Sequence, residues 1–183
     1  MFVKICGIRD ERTALVAAEA GADAIGFVFH KNSPRFVEYR VAEKIAERLS
    51  GRVLIVAVYK RRDEIDGGVL DFCDLVQVYE PVEELRDRLI LGVSGYTREP
   101  AAYYLLDVSH GRGRFFEHPQ DLYGLPKERV ILSGGLNPEN VAEVVERYSP
   151  FGVDVSSGVE SSPGVKDERL IREFIKRAKG EVI

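Results

Sequence analysis

The 183-residue chain has room for one domain, or for one domain with a small appendage, and its 45% hydrophobic and 31% charged residues fit a globular protein with a real core. A net charge of -4 argues against the basic surface that general nucleic-acid binding needs, and no apolar run approaches the ~20 residues of a membrane-spanning helix. Two cysteines, Cys6 and Cys73, argue against a disulfide framework and a four-ligand zinc site, and the N-terminal apolar stretch is too short for a signal peptide, so a cytoplasmic location is expected.

In chain order, residues 2–5 form a first apolar run. Residues 10–20 have helical spacing, with Thr13, Ala14, Ala17 and Ala18 on one face and Gly21 as the stop. A second run covers 24–29, a second helical pattern 41–49, and a third run 53–58. Runs at 75–78, 89–93 and 103–106 follow, then 130–132. Asn137 is placed to cap a helix over 138–148, with Pro138 at its first position. The eighth run covers 151–155. A last helix over 167–179 turns Leu170, Ile171, Phe174 and Ile175 inward and carries basic residues in its final turns. Several runs are continuous rather than alternating, the signature of parallel strands buried on both faces. Eight strands interleaved with helices predict an α/β fold, a compact (β/α)8 barrel spanning residues 1–183 as a single domain. The starts at 75, 89 and 103 lie about 14 residues apart, so the helices after strands four and five are expected to be very short or missing. A doubly wound open sheet is the alternative. Abundant Glu, Lys and Arg with one Met lean toward a thermophile.

A barrel of this kind carries its chemistry at the C-terminal ends of its strands. There the sequence places Cys6, the 30–35 loop, Asp107, Gly134-Gly135 and Ser156-Ser157-Gly158. Small residues let backbone N–H groups approach an anion, and two such turns about 22 residues apart, after strands seven and eight, suggest one phosphate held between them. Cys6 is either a nucleophile or base, or a small buried apolar residue. Asp107 is either a general acid or base, or a turn former ahead of Gly111-Arg112-Gly113. Asp154 either points into the barrel or pairs with Lys4. Arg35 is either a bidentate clamp for a substrate carboxylate or a solvated loop charge. His30, His110 and His118 have no spacing that suggests metal or triad chemistry, and Cys73, before strand four, is at the wrong end for catalysis.

The segments Lys4-Ile5-Cys6-Gly7-Ile8, Gly21-Ala22-Asp23-Ala24-Ile25-Gly26-Phe27-Val28-Phe29, Ser33-Pro34-Arg35, Leu105-Leu106-Asp107, the run from Gly134 to Val141, and the run from Val153 to Asp167 together resemble phosphoribosylanthranilate isomerase, an enzyme of tryptophan biosynthesis. They span nearly the whole chain in the family's order. The resemblance implies an Amadori rearrangement of N-(5-phosphoribosyl)anthranilate to 1-(2-carboxyphenylamino)-1-deoxyribulose 5-phosphate. It implies Cys6 as general base, Asp107 as general acid, and Arg35 beside the anthranilate moiety. The iminium nitrogen is the electron sink, so no metal or organic cofactor is expected. The expected partner is the small phosphoribosyl substrate, with no nucleic acid and no membrane; monomer or homodimer stays open.

The chain departs from the family twice. Gln77-Val78-Tyr79-Glu80 stands where the family has Gln-Leu-His-Gly, and Gly111-Arg112-Gly113 replaces a longer Gly-Gly-Thr-Gly loop. Two rival readings remain at this level. One is another phosphosugar barrel enzyme, such as an epimerase or the related histidine-pathway isomerase. The other is a non-catalytic metabolite-binding protein that kept the pocket.

Overall fold

The computed structural model describes residues 1–107 and 119–180. Eight strands close into a barrel in sequence order: β1 (Phe2–Cys6), β2 (Ala24–Val28), β3 (Leu54–Val58), β4 (Leu75–Val78), β5 (Leu89–Val93), β6 (Tyr103–Leu106), β7 (Val130–Leu132) and β8 (Gly152–Val155). All neighbours run parallel, and β1 pairs with both β2 and β8. The open-sheet alternative is thereby removed. Every strand falls on one of the eight apolar runs, because a strand buried on both faces has to be apolar throughout.

Among the described residues four α-helices cover the barrel: α1 (Glu11–Glu19), α2 (Tyr39–Leu49), α3 (Val141–Tyr148) and α4 (Glu168–Ala178). Each follows β1, β2, β7 or β8, so the helical layer lies on that side. Asp10 caps α1 by accepting the N–H of Thr13 at 2.9 Å, and Asp167 caps α4 by accepting that of Leu170 at 3.0 Å. As expected, β4 is followed only by a short 3₁₀ segment, Glu83–Arg88, and the β5–β6 connection has no helix. The thinning extends further than the 14-residue spacings indicated. The β3–β4 connection also holds only two 3₁₀ turns, Arg62–Glu64 and Val69–Asp71, with Gly67 and Gly68 between them to disfavour a helix.

Helix α3 starts three residues later than the sequence implied. Asn137 nevertheless caps the turn: its side chain accepts the N–H of Asn140 at 3.0 Å, and Asn140 returns the bond to the N–H of Asn137 at 2.8 Å. The sequence reading also missed a hairpin after β8, formed by antiparallel β9 (Glu160–Ser162) and β10 (Val165–Lys166). These strands are too short and too polar to register as apolar runs.

The core has two parts. The larger lies between the strands and the outer layer, and includes Ile5, Phe27, Leu49, Leu89, Phe174 and Ile175. The smaller fills the barrel, with Cys6, Ala24, Val56, Val58, Leu75, Ile90, Leu105 and Ile131, and stacked rings of Phe2, Tyr103 and Phe151. Phe2, Tyr103 and Phe151 lie at the N-terminal strand ends, so they plug the barrel from below and leave its upper end to polar side chains. Cys73 is buried before β4, and burial pushes its thiol up to about 12, as suits a structural residue. Among the described residues no helix is long and apolar enough to cross a membrane.

Candidate active site

The C-terminal strand ends bring Arg35, Asp107, Gly134, Gly135, Ser156 and Ser157 to one rim, while Cys6, at the end of β1, is not among the residues lining the cavity there. Three features named from the sequence, His110, the Gly111-Arg112-Gly113 loop and His118, lie outside the described residues. His30 is a half-buried loop residue whose Nδ1 is 2.8 Å from Glu64 Oε1. Among the described residues no cluster of His, Cys, Asp and Glu could hold a metal ion.

Cys6 ends β1 and is 7% exposed, so it sits just beneath the rim. Its register partner on β2 is Gly26. A Cβ at Gly26 would lie 3.0 Å from the Cys6 sulfur and 3.3 Å from Lys4 Cε, so the absent side chain leaves a hollow that both residues border. Burial pushes the thiol above its ordinary value. Lys4 opposes that rise, Asp154 adds to it, and Lys166 opposes it.

Two positions back on the same strand, Lys4 is wholly buried, and its Nζ donates to Asp154 Oδ1 at 2.6 Å. The other Asp154 oxygen accepts from Ser133 Oγ at 3.0 Å. The sequence had offered two readings of Asp154, and both hold: it pairs with Lys4 and also lines the cavity. Burial disfavours a charge on Lys4, but Asp154 and Cys6 outweigh it and hold the ammonium above its usual range.

Gly134 and Gly135 follow β7 with φ of 90° and 70°, in the left-handed region that favours glycine. Asn140 donates from its amide to the Gly135 carbonyl at 3.0 Å and so fixes this turn from the start of α3. Sequence reasoning missed that support, although the Asn137–Asn140 spacing carries its signal. Together with Asp107, Asp154, Ser156 and Ser157, the turn lines a cavity of about 140 Å³. Gly158 is not among the lining residues. A Cβ there would run into the Leu136 carbonyl, so this glycine lets the strand-seven and strand-eight loops pack together.

Arg35 borders the same cavity. Its stem lies over Gly7, and its Nε and Nη2 donate to the two carboxylate oxygens of Glu160, both at 2.8 Å. Glu160 also accepts from Lys166 Nζ at 2.8 Å and from the N–H of Gly164. Burial would raise the Glu160 carboxyl, but Arg35 and Lys166 together hold it below the usual range. The bidentate face of Arg35 is thus turned to Glu160, and its remaining N–H groups are those on offer to a ligand.

Asp107 follows β6, and its N–H donates to Val93 at 3.0 Å. It also borders a second, larger cavity of about 910 Å³, which includes Ser33, Lys60, Tyr79 and Gly92. Tyr79 lies so close over Gly92 that a Cβ there would meet its ring. The cavity thus has one aromatic side chain, Tyr79, with Lys60, Arg61 and Glu80 as charged neighbours, and Asp107 is common to both cavities. A third groove of about 570 Å³ lies at the opposite end, along Leu75, Ala101 and Tyr103. The strand ends there are N-terminal, which in a barrel is the stabilising face.

Residues 90–177 match the family model described as N-(5'phosphoribosyl)anthranilate (PRA) isomerase. The N-(5'-phosphoribosyl)anthranilate isomerase of Geotalea uraniireducens is 38% identical, over 97% of this chain and 98% of that one. The alignment runs to 199 positions, more than the 183 residues here, in keeping with the shortened connections. The crystal structure of phosphoribosyl anthranilate isomerase from Thermotoga maritima superposes with a TM-score of 0.83 at 37% identity, covering 98% of this chain and 99% of that one. A phosphoribosyl anthranilate isomerase solved in complex with reduced 1-(o-carboxyphenylamino)-1-deoxyribulose 5-phosphate superposes with a TM-score of 0.77 at 36% identity, with 98% and 99% covered. With identity at this level over the full length of its relatives, a closed parallel barrel, and a thiol, an acid and two small-residue turns on one rim, the chain belongs to the N-(5'-phosphoribosyl)anthranilate isomerase family.

Proposed function

We propose that Asp107 and Cys6 are the acid and base with which this family member isomerises N-(5-phosphoribosyl)anthranilate to 1-(2-carboxyphenylamino)-1-deoxyribulose 5-phosphate in tryptophan biosynthesis. The observation that carries the assignment is that Asp107 is common to two cavities of different character. The smaller suits a phosphate and the larger an aromatic ring, so the sugar that joins them spans Asp107.

Asp107 gives a proton to the ribose ring oxygen. The C1–O bond breaks towards that oxygen, and the nitrogen lone pair closes the C1=N iminium. Cys6, as thiolate, then takes the proton from C2. The C–H pair forms C1=C2, and the C=N pair returns to nitrogen. The resulting enolamine tautomerises to the ketone. Cys6 on β1 and Asp107 after β6 stand across the mouth, with β7 and β8 between them, so acid and base address different sides of the sugar. The glycine turn of β7 and the serines after β8 hold the 5-phosphate between them and fix the sugar, with Gly158 keeping the two loops together. Arg35 lies beside the anthranilate half and offers the N–H groups that Glu160 leaves open.

The iminium supplies the electron sink for removal of the C2 proton, and protonation of C1 with loss of the C2 hydroxyl proton completes the ketone. The reading takes the protein as one barrel domain of the cytoplasm acting on a small phosphoribosyl substrate. Its test is turnover of freshly generated phosphoribosylanthranilate, followed by loss of anthranilate-type fluorescence. Enzyme-dependent loss is expected. A folded protein without turnover would contradict the assignment and point to another phosphosugar.

A further inference from the structure

Lys4 is a cation with no exposure, one of a few buried polar residues, with Asp154, Ser133 and Gln77, in a barrel whose lower interior is apolar. Such a group is costly to bury, and a buried ion pair seldom repays that cost in stability over well-packed apolar residues. The proton transfers described above do not use it. Its neighbours are specific. Asp154, its register partner on β8, takes one Nζ donor at 2.6 Å and is itself held by Ser133 at 3.0 Å. An ammonium has three donors, so two remain. On β1, Lys4 and Cys6 are two residues apart and therefore on one face of the strand. Both border the hollow left by Gly26.

We propose that Lys4 is a positioning residue for Cys6: the ammonium, pinned by Asp154 and Ser133, is the fixed counter-charge beneath the sulfur that lets a buried cysteine act as a base. The inference rests on the reading of Cys6 as the general base. In a site this dry, an unpaired thiolate would be strongly disfavoured, and a nearby cation offsets much of that. The charged and titratable groups around Cys6 are Lys4 on its own strand, Asp154 on β8, Lys166 on β10, and Tyr79 after β4. Of the two cations, Lys166 donates to Glu160 and to the Ser156 carbonyl at 2.9 Å, which ties the hairpin to the loop after β8. Lys4 is the one on the thiol's own strand. Burial and Cys6 act on Lys4 in opposite directions, and with Asp154 the balance keeps it charged.

The test is the pH dependence of Cys6 alkylation by iodoacetamide in a Cys73→Ala background, with the ultraviolet absorbance of the thiolate as a second signal. Lys4→Met is expected to move the alkylation midpoint up by at least one pH unit. It is also expected to lower kcat at neutral pH at least ~10-fold with little change in KM, since one pH unit is a tenfold change in thiolate population. Removing a buried charge can also unfold the chain, so the double variant Lys4→Met/Asp154→Leu leaves no unpaired charge in the core; because Asp154 itself raises the thiol and Lys4 lowers it more, its midpoint is expected to move up as well, by less than in Lys4→Met. A residue that only supports the fold would lower the melting temperature and leave the midpoint in place. An unmoved midpoint in a folded variant overturns the proposal. Alkylation needs no substrate. If wild type shows no turnover, the reaction assignment fails, while the midpoint shift still reports on Lys4 and Cys6.

Discussion

At the residue scale the site is held by close approaches that substitutions would disturb in readable ways. Tyr79 packs over Gly92, and its ring occupies the space a Cβ on Gly92 would need. Gly92→Ala is therefore expected to push the ring out of the larger cavity and raise KM about 5-fold, the factor that ~1 kcal/mol carries, with kcat nearly unchanged. Steady-state kinetics check this, and a Gly92→Ala/Tyr79→Ala double variant no worse than Tyr79→Ala alone shows that the two act as a pair. Glu160 gives a pH prediction. Its carboxyl is held below the usual value when folded, so its contribution to stability is complete above the ordinary glutamate value of 4.5 and is lost as pH falls through the folded value. Thermal melts below pH 4.5 are expected to fall more steeply for wild type than for Glu160→Gln; parallel slopes would contradict this. Cys6, Asp107 and the glycine turn were legible because strand ends are legible, and in a barrel strand ends are the site. The pairing of Lys4 with Asp154, 150 residues away, was one of two options the sequence offered, but the complete burial of Lys4 was not legible, because a lysine inside an apolar run reads as exposed until the strands around it are placed.

At the element scale, apolar runs located all eight strands because parallel strands buried on both faces admit few polar residues. Helix starts were less secure. Asn137 was identified as a cap, but the turn it caps precedes α3 rather than opening it, since Pro138 and the reciprocal Asn137–Asn140 bonds make a separate turn. The hairpin of β9 and β10 has no periodic signal at all; ion pairs from Glu160 to Arg35 and Lys166 hold it. Helix α4 shows the clearest amphipathic pattern, and Phe174 on it is fully buried. Phe174→Ala is expected to cost about 3–5 kcal/mol in denaturant unfolding, against about 1 kcal/mol for removing the Asp10 cap of α1 by Asp10→Ala. A similar loss for both would mean that α4 packs loosely.

At the scale of the whole molecule, the barrel is covered unevenly. Helices α1, α2, α3 and α4 shield the β1, β2, β7 and β8 side, while the β3–β4, β4–β5 and β5–β6 connections contain no α-helix. Amide exchange is expected to be faster in the 59–74 and 79–88 segments than in α1 and α4, measured by mass spectrometry under native conditions; uniform protection would contradict that picture. The proposed base and phosphate turns sit on the well-covered side, and the proposed acid, Asp107, at its boundary. The short side costs the fold helices but leaves the rim intact, which is how a chain of 183 residues keeps the whole constellation. The central claim is that one thiol and one carboxylate on that rim move the protons. The measurement that tests it most directly is kcat on phosphoribosylanthranilate for Cys6→Ala and Asp107→Asn beside wild type, with melting temperatures taken on the same samples. Losses of at least ~100-fold in each variant, at melting temperatures near that of wild type, are the expected result. Near-normal turnover in both folded variants would contradict the assignment.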